Sequence, residues 1–330
     1  MARTPQILPT RKVRGLVEST MRFLERVPVL GRVLEVSVPE EDSDVPLTIM
    51  VPIHRKDLWI APAAVRYALK NVRHPVEEVV VVSRDEESIR AWADADGLRW
   101  VNEETILNYT ADDIAARLPK HAQDRSRWIF QQLIKFGVEK LIKTEAFLVI
   151  DSDTLLLAPK VFKNRETVWI DYSHERNLLY LKGYRELLGE KPGSWVSFVC
   201  HHMFAEKKVI DSLKARIEEH TGKKWDDAIV ELASSEVWNE GEKEMRPFNY
   251  FSEFETYLNF ARDFYPEVRT RYFRNHSARG FVPGEVDLDA YVAQLPRFFQ
   301  WASFHSYHVS KAGAQAAPRE QDLTGSGRKS

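Results

Sequence analysis

The string FLVIDSDTLLL, Phe147 to Leu157, sets two carboxylates one residue apart directly behind four apolar residues. A buried strand read from that run delivers Asp151 and Asp153, with Ser152 between them, to the edge where the chain leaves the sheet. Two carboxylates at this spacing can share a hard divalent cation that keeps water and phosphate oxygens as its other ligands. Such an ion neutralises a diphosphate leaving group, so the chemistry on offer is metal-assisted departure of a nucleotide diphosphate. The plainer reading has one Asp capping the next turn and the other solvated. Placement between an apolar run and three leucines favours the ion.

Other strings could serve the same site. Arg125 to Phe136, RSRWIFQQLIKF, puts Trp128, Gln131 and Lys135 on one helix face, with Ile129, Leu133 and Phe136 toward a core. Gln131 and Lys135 would bind a donor sugar or its diphosphate, or form the wet side of an ordinary amphipathic helix. His54, Arg55, Lys56 and Asp57 follow one apolar run, and Ser83, Arg84 and Asp85 follow another. Strand ends of this kind receive a base or ribose. SFVCHHMF, Ser197 to Phe204, reads as a strand ending in Cys200, His201 and His202; one histidine would line an acceptor pocket, and the thiol is structural. In FSEFETYLNF, Phe251 to Phe260, Glu253 or Glu255 would accept the proton of an acceptor hydroxyl if the reaction inverts. Ser252 and Glu255 also match a helix capping box. In SFHSYH, His305 and His308 would lie on opposite faces of a straight strand, so one alone could reach the site.

Composition limits the setting. The 330 residues carry 47 basic and 49 acidic side chains, a net charge of −2, which argues against nucleic acid as the main partner. The 44% hydrophobic content suffices for a full core, and a single cysteine rules out an intramolecular disulfide framework. No apolar run approaches the roughly 20 residues that span a bilayer, and the N-terminus lacks a signal peptide's apolar stretch. A cytoplasmic protein is expected. Between Arg3 and Arg32 seven basic residues face Glu18 and Glu25, while Val13, Leu16, Val17, Met21, Leu24 and Val27 recur at helical spacing. That basic amphipathic helix docks on its own domain or makes a peripheral contact with the inner membrane face.

Alternating elements must position these groups. Strands are expected at Leu47 to His54, Glu78 to Ser83, Leu98 to Val101, Glu145 to Ile150, Thr167 to Tyr172, Trp195 to Val199, Arg269 to Phe273 and Phe298 to Ser306. Helices are expected at Ala61 to Asn71, Asp85 to Asp96, Ser126 to Ile142, Lys207 to His220, Trp225 to Ser234 and Glu253 to Phe264. Continuous apolar strands alternating with helices give a mostly parallel, Rossmann-like α/β sheet with helices on both faces, with ligands at the strands' carboxyl ends. The division expected is residues 1–44 as a helical extension and acidic linker, 45–310 as the catalytic domain, and 311–330 as a disordered tail. Within the domain, 45–160 would form the nucleotide-sugar half and 161–310 the acceptor half.

FLVIDSDTLLL, late in an alternating βα half, resembles the D-x-D motif of GT-A-type glycosyltransferases. With VPIHRKD, RSRWIFQQLIKF, SFVCHHMF, FSEFETYLNF and SFHSYH, the chain resembles an uncharacterised bacterial family of GT-A-like proteins over most of residues 47–310. The resemblance implies a hexosyltransferase-type enzyme that moves a sugar from a UDP- or GDP-linked donor to a hydroxyl of a glycan or glycolipid, with Mn²⁺ or Mg²⁺. It implies that Asp151 faces the sugar nucleotide, that Asp153 binds the metal most directly, and that a late histidine, His308 by preference over His305, completes the coordination. His54, Asp85, Gln131, Lys135, Asp151 and Ser152 are the donor-binding candidates, and polysaccharide biosynthesis the setting. Two alternatives stand beside it. One is a haloacid-dehalogenase-type phosphatase, whose similar motif normally reads D-x-D-G-T on the first strand. The other is a catalytically silent sugar-nucleotide-binding protein.

Overall fold

The computed structural model describes residues 41–173, 177–194, 196–234, 236–239, 244–247, 251–297 and 299–309. The basic helix expected before residue 41 and the tail expected at 311–330 lie outside the described residues.

In chain order the strands are β1 (Leu47–Pro52), β2 (Val76–Ser83), β3 (Arg99–Asn102), β4 (Ala146–Ile150), β5 (Thr154–Leu156), β6 (Val168–Tyr172), β7 (His202–Glu206), β8 (Glu236–Asn239), β9 (Glu244–Pro247), β10 (Val268–Tyr272), β11 (Asn275–Ser277) and β12 (Trp301–Ser303). The α-helices are α1 (Ala61–Asn71), α2 (Glu87–Ala95), α3 (Ala111–Arg117), α4 (Ser126–Gly137), α5 (Leu178–Leu188), α6 (Lys207–Thr221), α7 (Trp225–Ala233), α8 (Glu253–Phe264) and α9 (Leu288–Ala293).

The main sheet runs β3-β2-β1-β4-β7, a mixed α/β arrangement flanked by helices. β1 pairs in parallel with β2 and β4, and β2 with β3, while β7 closes the edge antiparallel to β4. β1 and β4 are buried along their whole length, as near-continuous apolar strands covered on both faces must be. The one buried hydroxyl on β1, Thr48, is satisfied by Thr144 at 2.9 Å. The chain lays β2 and β3 to one side of β1 and then returns to place β4 on the other. The order therefore reverses between β1 and β4, and a crevice opens at their carboxyl ends.

A second sheet, β11-β12-β5, decides what faces that crevice. β12 runs antiparallel to β5, with Ser303 opposite Thr154 and Trp301 opposite Leu156. α1 covers it through Ala64 and Tyr67, which pack with Leu155, Ala302 and Phe304. β10 pairs with β6, and β8 with β9 in a hairpin.

The strand expected over Trp195 to Val199 is not a strand in the described residues. Ser197 makes a single bridge with Ser173, and the strand begins later, at His202. The apolar residues Phe198 and Cys200 are buried in an irregular segment, and the strand carries polar, equally buried His202 and Glu206. The late strand is shorter than expected, three residues from Trp301, and the chain turns into a 3-10 helix at Ser306–His308.

Candidate active site

Asp151 and Asp153 leave β4 at the crevice between β1 and β4. Asp151's amide donates to the carbonyl of His201 at 2.9 Å, and Thr154's amide closes the turn onto the carbonyl of Asp151 at 3.0 Å. His201 holds φ at 59°, the one left-handed non-glycine residue among those described. A non-glycine residue there costs on the order of 1 kcal/mol, and such strain persists where surrounding contacts over-determine it. His201's Nδ1 lies 3.5 Å from Asp151 Oδ2, and its ring centroid 4.4 Å from that of His305.

His305 reaches the site through the β12–β5 ladder. The pairing of Ser303 with Thr154 carries the next residues alongside the motif, so Phe304's amide donates to Asp153's carbonyl at 2.9 Å. His305 Nδ1 then lies 3.0 Å from Asp153 Oδ2. With that nitrogen's hydrogen on the carboxylate, Nε2 is the nitrogen that carries the lone pair. His308 is placed elsewhere: its Nδ1 is 3.1 Å from Ser277 Oγ. β12 ends at Ser303, so strand alternation does not set the sides of His305 and His308.

Lys135 is not on the wet side of α4. It is buried, 3% exposed, with Nζ 2.8 Å from Asp151 Oδ1 and 2.6 Å from Glu253 Oε1. The ring of Phe254 lies 4.5 Å from the ammonium. Burial opposes its charge, yet the two carboxylates raise its pKa above the ordinary lysine value. Burial likewise opposes charge on Asp151, and Lys135 and His201 overcome it, holding the carboxyl below the usual range. Glu253 is thus Lys135's partner and does not line the cleft. Glu255 is fully buried, accepting from Ser197 Oγ at 2.6 Å and from Asn259 Nδ2 at 3.0 Å. Its amide donates to Ser252 Oγ at 3.3 Å, so Ser252 caps the start of α8. Phe251, Phe254 and Tyr257 are buried with it.

The crevice opens into a cleft of about 370 Å³, lined by His54, Lys56, Asp57, Arg84, Glu86, Glu103, Asp124, Arg127, Trp128, Gln131, Asp151, Ser152, Asp153 and His305 along with Pro52 and Ile53. His54 also accepts from the amide of Lys56 at 3.3 Å, fixing the turn after β1. Ser152 Oγ donates to Asp57 Oδ2 at 3.3 Å. Trp128, 37% exposed, stands on the cleft side of α4 with Gln131. Asp85 does not line the cleft; it pairs with Arg90 at 3.1 Å, and its neighbours Arg84 and Glu86 take its place. Glu86, Glu103, Asp124 and Arg127 were not singled out in the sequence, and Glu103 had no motif to mark it beyond its position just past β3.

Six carboxylates line this cleft against Lys56, Arg84 and Arg127. Asp57 shows the strain of that imbalance: burial, with the charges of Asp153 and Asp151, pushes its carboxyl up to about 6 despite Lys56. Burial raises Glu103 too, against the pull of Arg84 and Arg127. Among the described residues no three His, Cys, Asp or Glu side chains converge tightly enough to hold an ion unaided. The donor set nevertheless fits one kind of ion. Asp153 with His305, and Asp151 beside them, suit a hard or borderline divalent cation that takes its remaining ligands from water and substrate phosphate.

Behind His201 the neighbouring His202 is buried in a separate network. Its Nε2 is 2.6 Å from Asp171 Oδ2, its Nδ1 2.8 Å from the carbonyl of Cys200, and its ring stacks 3.9 Å from Trp301. Lys160 and Arg271 complete the network on Asp171. Cys200 is buried, and burial pushes its thiol well up, as expected of a structural cysteine.

No curated protein matches the chain in sequence. Among solved structures it is similar to glucosyl-3-phosphoglycerate synthase from Mycobacterium tuberculosis in complex with Mn²⁺, uridine diphosphate and phosphoglyceric acid, at 12% identity and a TM-score of 0.32 over 50% of this chain and 57% of that one. It is similar to the galactosyltransferase LgtC, solved with donor and acceptor sugar analogues, at 13% identity and a TM-score of 0.43 over 84% of this chain and 99% of that one. It is also similar to the glycosyltransferase GlyE of Streptococcus pneumoniae, at 9% identity and a TM-score of 0.34 over 69% and 45%. The chain spans less than two thirds of the first and third of these proteins. A family model described as a family of unknown function, DUF6492, matches residues 68–315, and the chain belongs to that family.

Proposed function

We propose that the cleft binds a nucleotide-diphosphate sugar together with a divalent cation, Mn²⁺ or Mg²⁺, and transfers the sugar to a hydroxyl of a glycan or glycolipid. The observation that carries this reading is the meeting of Asp151, Asp153 and His305 at the carboxyl ends of β1 and β4, where the sheet order reverses. Asp153 and His305 would hold the ion, with Asp151 oriented by Lys135. A bound cation would supply charge neutralisation for the departing diphosphate. Gln131 and Trp128 would position the donor from α4, and His54, Ser152 and Asp57 would receive it beside β1. Arg84 and Arg127 add cationic groups to the cleft. Neither Glu253 nor Glu255 serves as the acceptor's base in this reading, because both are engaged and buried behind the cleft.

The phosphatase alternative is disfavoured by order: the motif ends the fourth strand, after three parallel ones, and Thr154 stands where a glycine is usual. No helix among the described residues is long and apolar enough to cross a membrane. A contact with the inner membrane face through residues 1–40 remains part of the proposal. Turnover is tested by measuring nucleotide diphosphate released from a panel of UDP- and GDP-sugars with Mn²⁺ and mixed glycan acceptors. Release from at least one donor, lost in Asp153→Ala, is expected. No release from any donor, with phosphate freed from phosphomonoesters instead, would overturn the reading.

A further inference from the structure

We propose that Glu253 is a positioning residue whose carboxylate balances the charge of Lys135, so that Asp151 faces the cleft as a full anion. The inference rests on the reading above that this corner takes a divalent cation. Lys135 is enclosed: its ammonium reaches Glu253 Oε1 at 2.6 Å and Asp151 Oδ1 at 2.8 Å, with Phe254 beneath. Water has little access to dissipate its charge, since Lys135 and Glu253 side chains are 3% and 5% exposed. Inside such an enclosure each unit charge is felt strongly by its neighbours. Lys135, Glu253 and Asp151 together carry one negative charge. Without Glu253 the remaining pair would be neutral, and Asp151 would offer a cation little attraction.

The fold holds Glu253 in place for this task. It opens α8, where the helix dipole favours an anion, and its amide donates to Gln132 Oε1 of α4 at 3.3 Å. Lys135 and Gln132 lie on the same helix, so α4 grips Glu253 at both its backbone and its carboxylate. Glu253 touches neither Asp153 nor the cleft, and it acts on the site only through Lys135.

Charge balance and mere bracing of α4 against α8 give different results in one experiment. Mn²⁺ binding to the full-length protein is read by electron paramagnetic resonance of the free ion. E253Q keeps an oxygen for Lys135 but removes the charge, and binding is expected to weaken about tenfold or more. Adding K135M returns the group to one negative charge, and affinity is expected to recover to within about threefold of the parent. A bracing role predicts the opposite, with the double variant at least as weak as E253Q. E253Q binding like the parent, or no recovery in the double variant, would overturn the inference. Should E253Q fail to fold, E253D retains the charge, and a loss of about tenfold in Mn²⁺ affinity there would equally contradict a charge role. Parent protein that takes up no Mn²⁺ would sink the metal-dependent reading and this inference together, whereas binding by the parent with E253Q unchanged would sink this inference alone.

Discussion

His305 and Asp153, 152 positions apart in the chain, meet with Nδ1 and Oδ2 3.0 Å from each other because β12 runs antiparallel to β5 in one fixed register. A slip of one residue would part Phe304's amide from Asp153's carbonyl and carry the histidine away from the motif. His305→Ala should therefore weaken Mn²⁺-dependent nucleotide binding about tenfold or more. His308→Ala, which loses a contact with Ser277 and a ring contact with His305, should leave that binding within about twofold, since a group outside the ligand shell contributes little. Titration calorimetry on both variants checks the pair, and equal losses would contradict the assignment of His305 over His308.

Trp128, 37% exposed, presents part of its indole to the cleft. Its replacement by alanine should cost about 0.5–3 kcal/mol of unfolding free energy, since most of the residue is covered. Donor binding should fall about fivefold or more, because stacking on an aromatic face is worth about 1–3 kcal/mol. Denaturant melts and donor titration on one preparation separate the two effects.

The alternation of apolar strands and helices was legible from Leu47 onward, because β1, β4 and the second half of β2 are buried and need unbroken apolar runs. The placement of Asp151 and Asp153 past the end of β4 was legible because the string is local. The setting of Lys135 was not: helical spacing put it on a polar face that would bind the donor or be wet, whereas its partners lie 16 and 118 positions away and draw it inside. His201 and His202 were read as ending a strand when they precede and begin one. The segment's apolar residues are buried without a ladder, and a buried His202 is affordable only through Asp171 on β6. Long-range pairs of this kind leave no periodic trace in a single sequence.

Asp171 is the one carboxylate shared by Lys160, Arg271 and His202. Burial opposes its charge, and Arg271 and Lys160 hold it well below the usual carboxylate range. Asp171→Asn would strand buried cations and should destabilise the fold by about 3–5 kcal/mol. Equilibrium denaturation measures this, and a loss under about 1 kcal/mol would show that the network matters little to stability.

His74 gives stability a pH dependence of known sign. Its Nδ1 lies 2.9 Å from Val45's carbonyl, and Nε2 accepts from the amide of Phe162 at 2.8 Å. Burial lowers its pKa below 6.5, against the Val45 contact. The unfolded chain therefore binds the proton first as pH falls through 6.5, so stability present above that value is lost below it. Urea midpoints should fall between pH 7.5 and 5.5, and the fall should be smaller in His74→Gln. A slope unchanged by that substitution would remove His74 as its source.

Calorimetric titration of UDP and GDP into the protein, with Mn²⁺ and with chelator, addresses the cleft's chemistry most directly. The account predicts saturable binding of at least one nucleotide diphosphate that requires Mn²⁺ and is abolished by Asp153→Ala while the fold persists. Binding that ignores both the metal and Asp153, or no binding of either nucleotide, would contradict it.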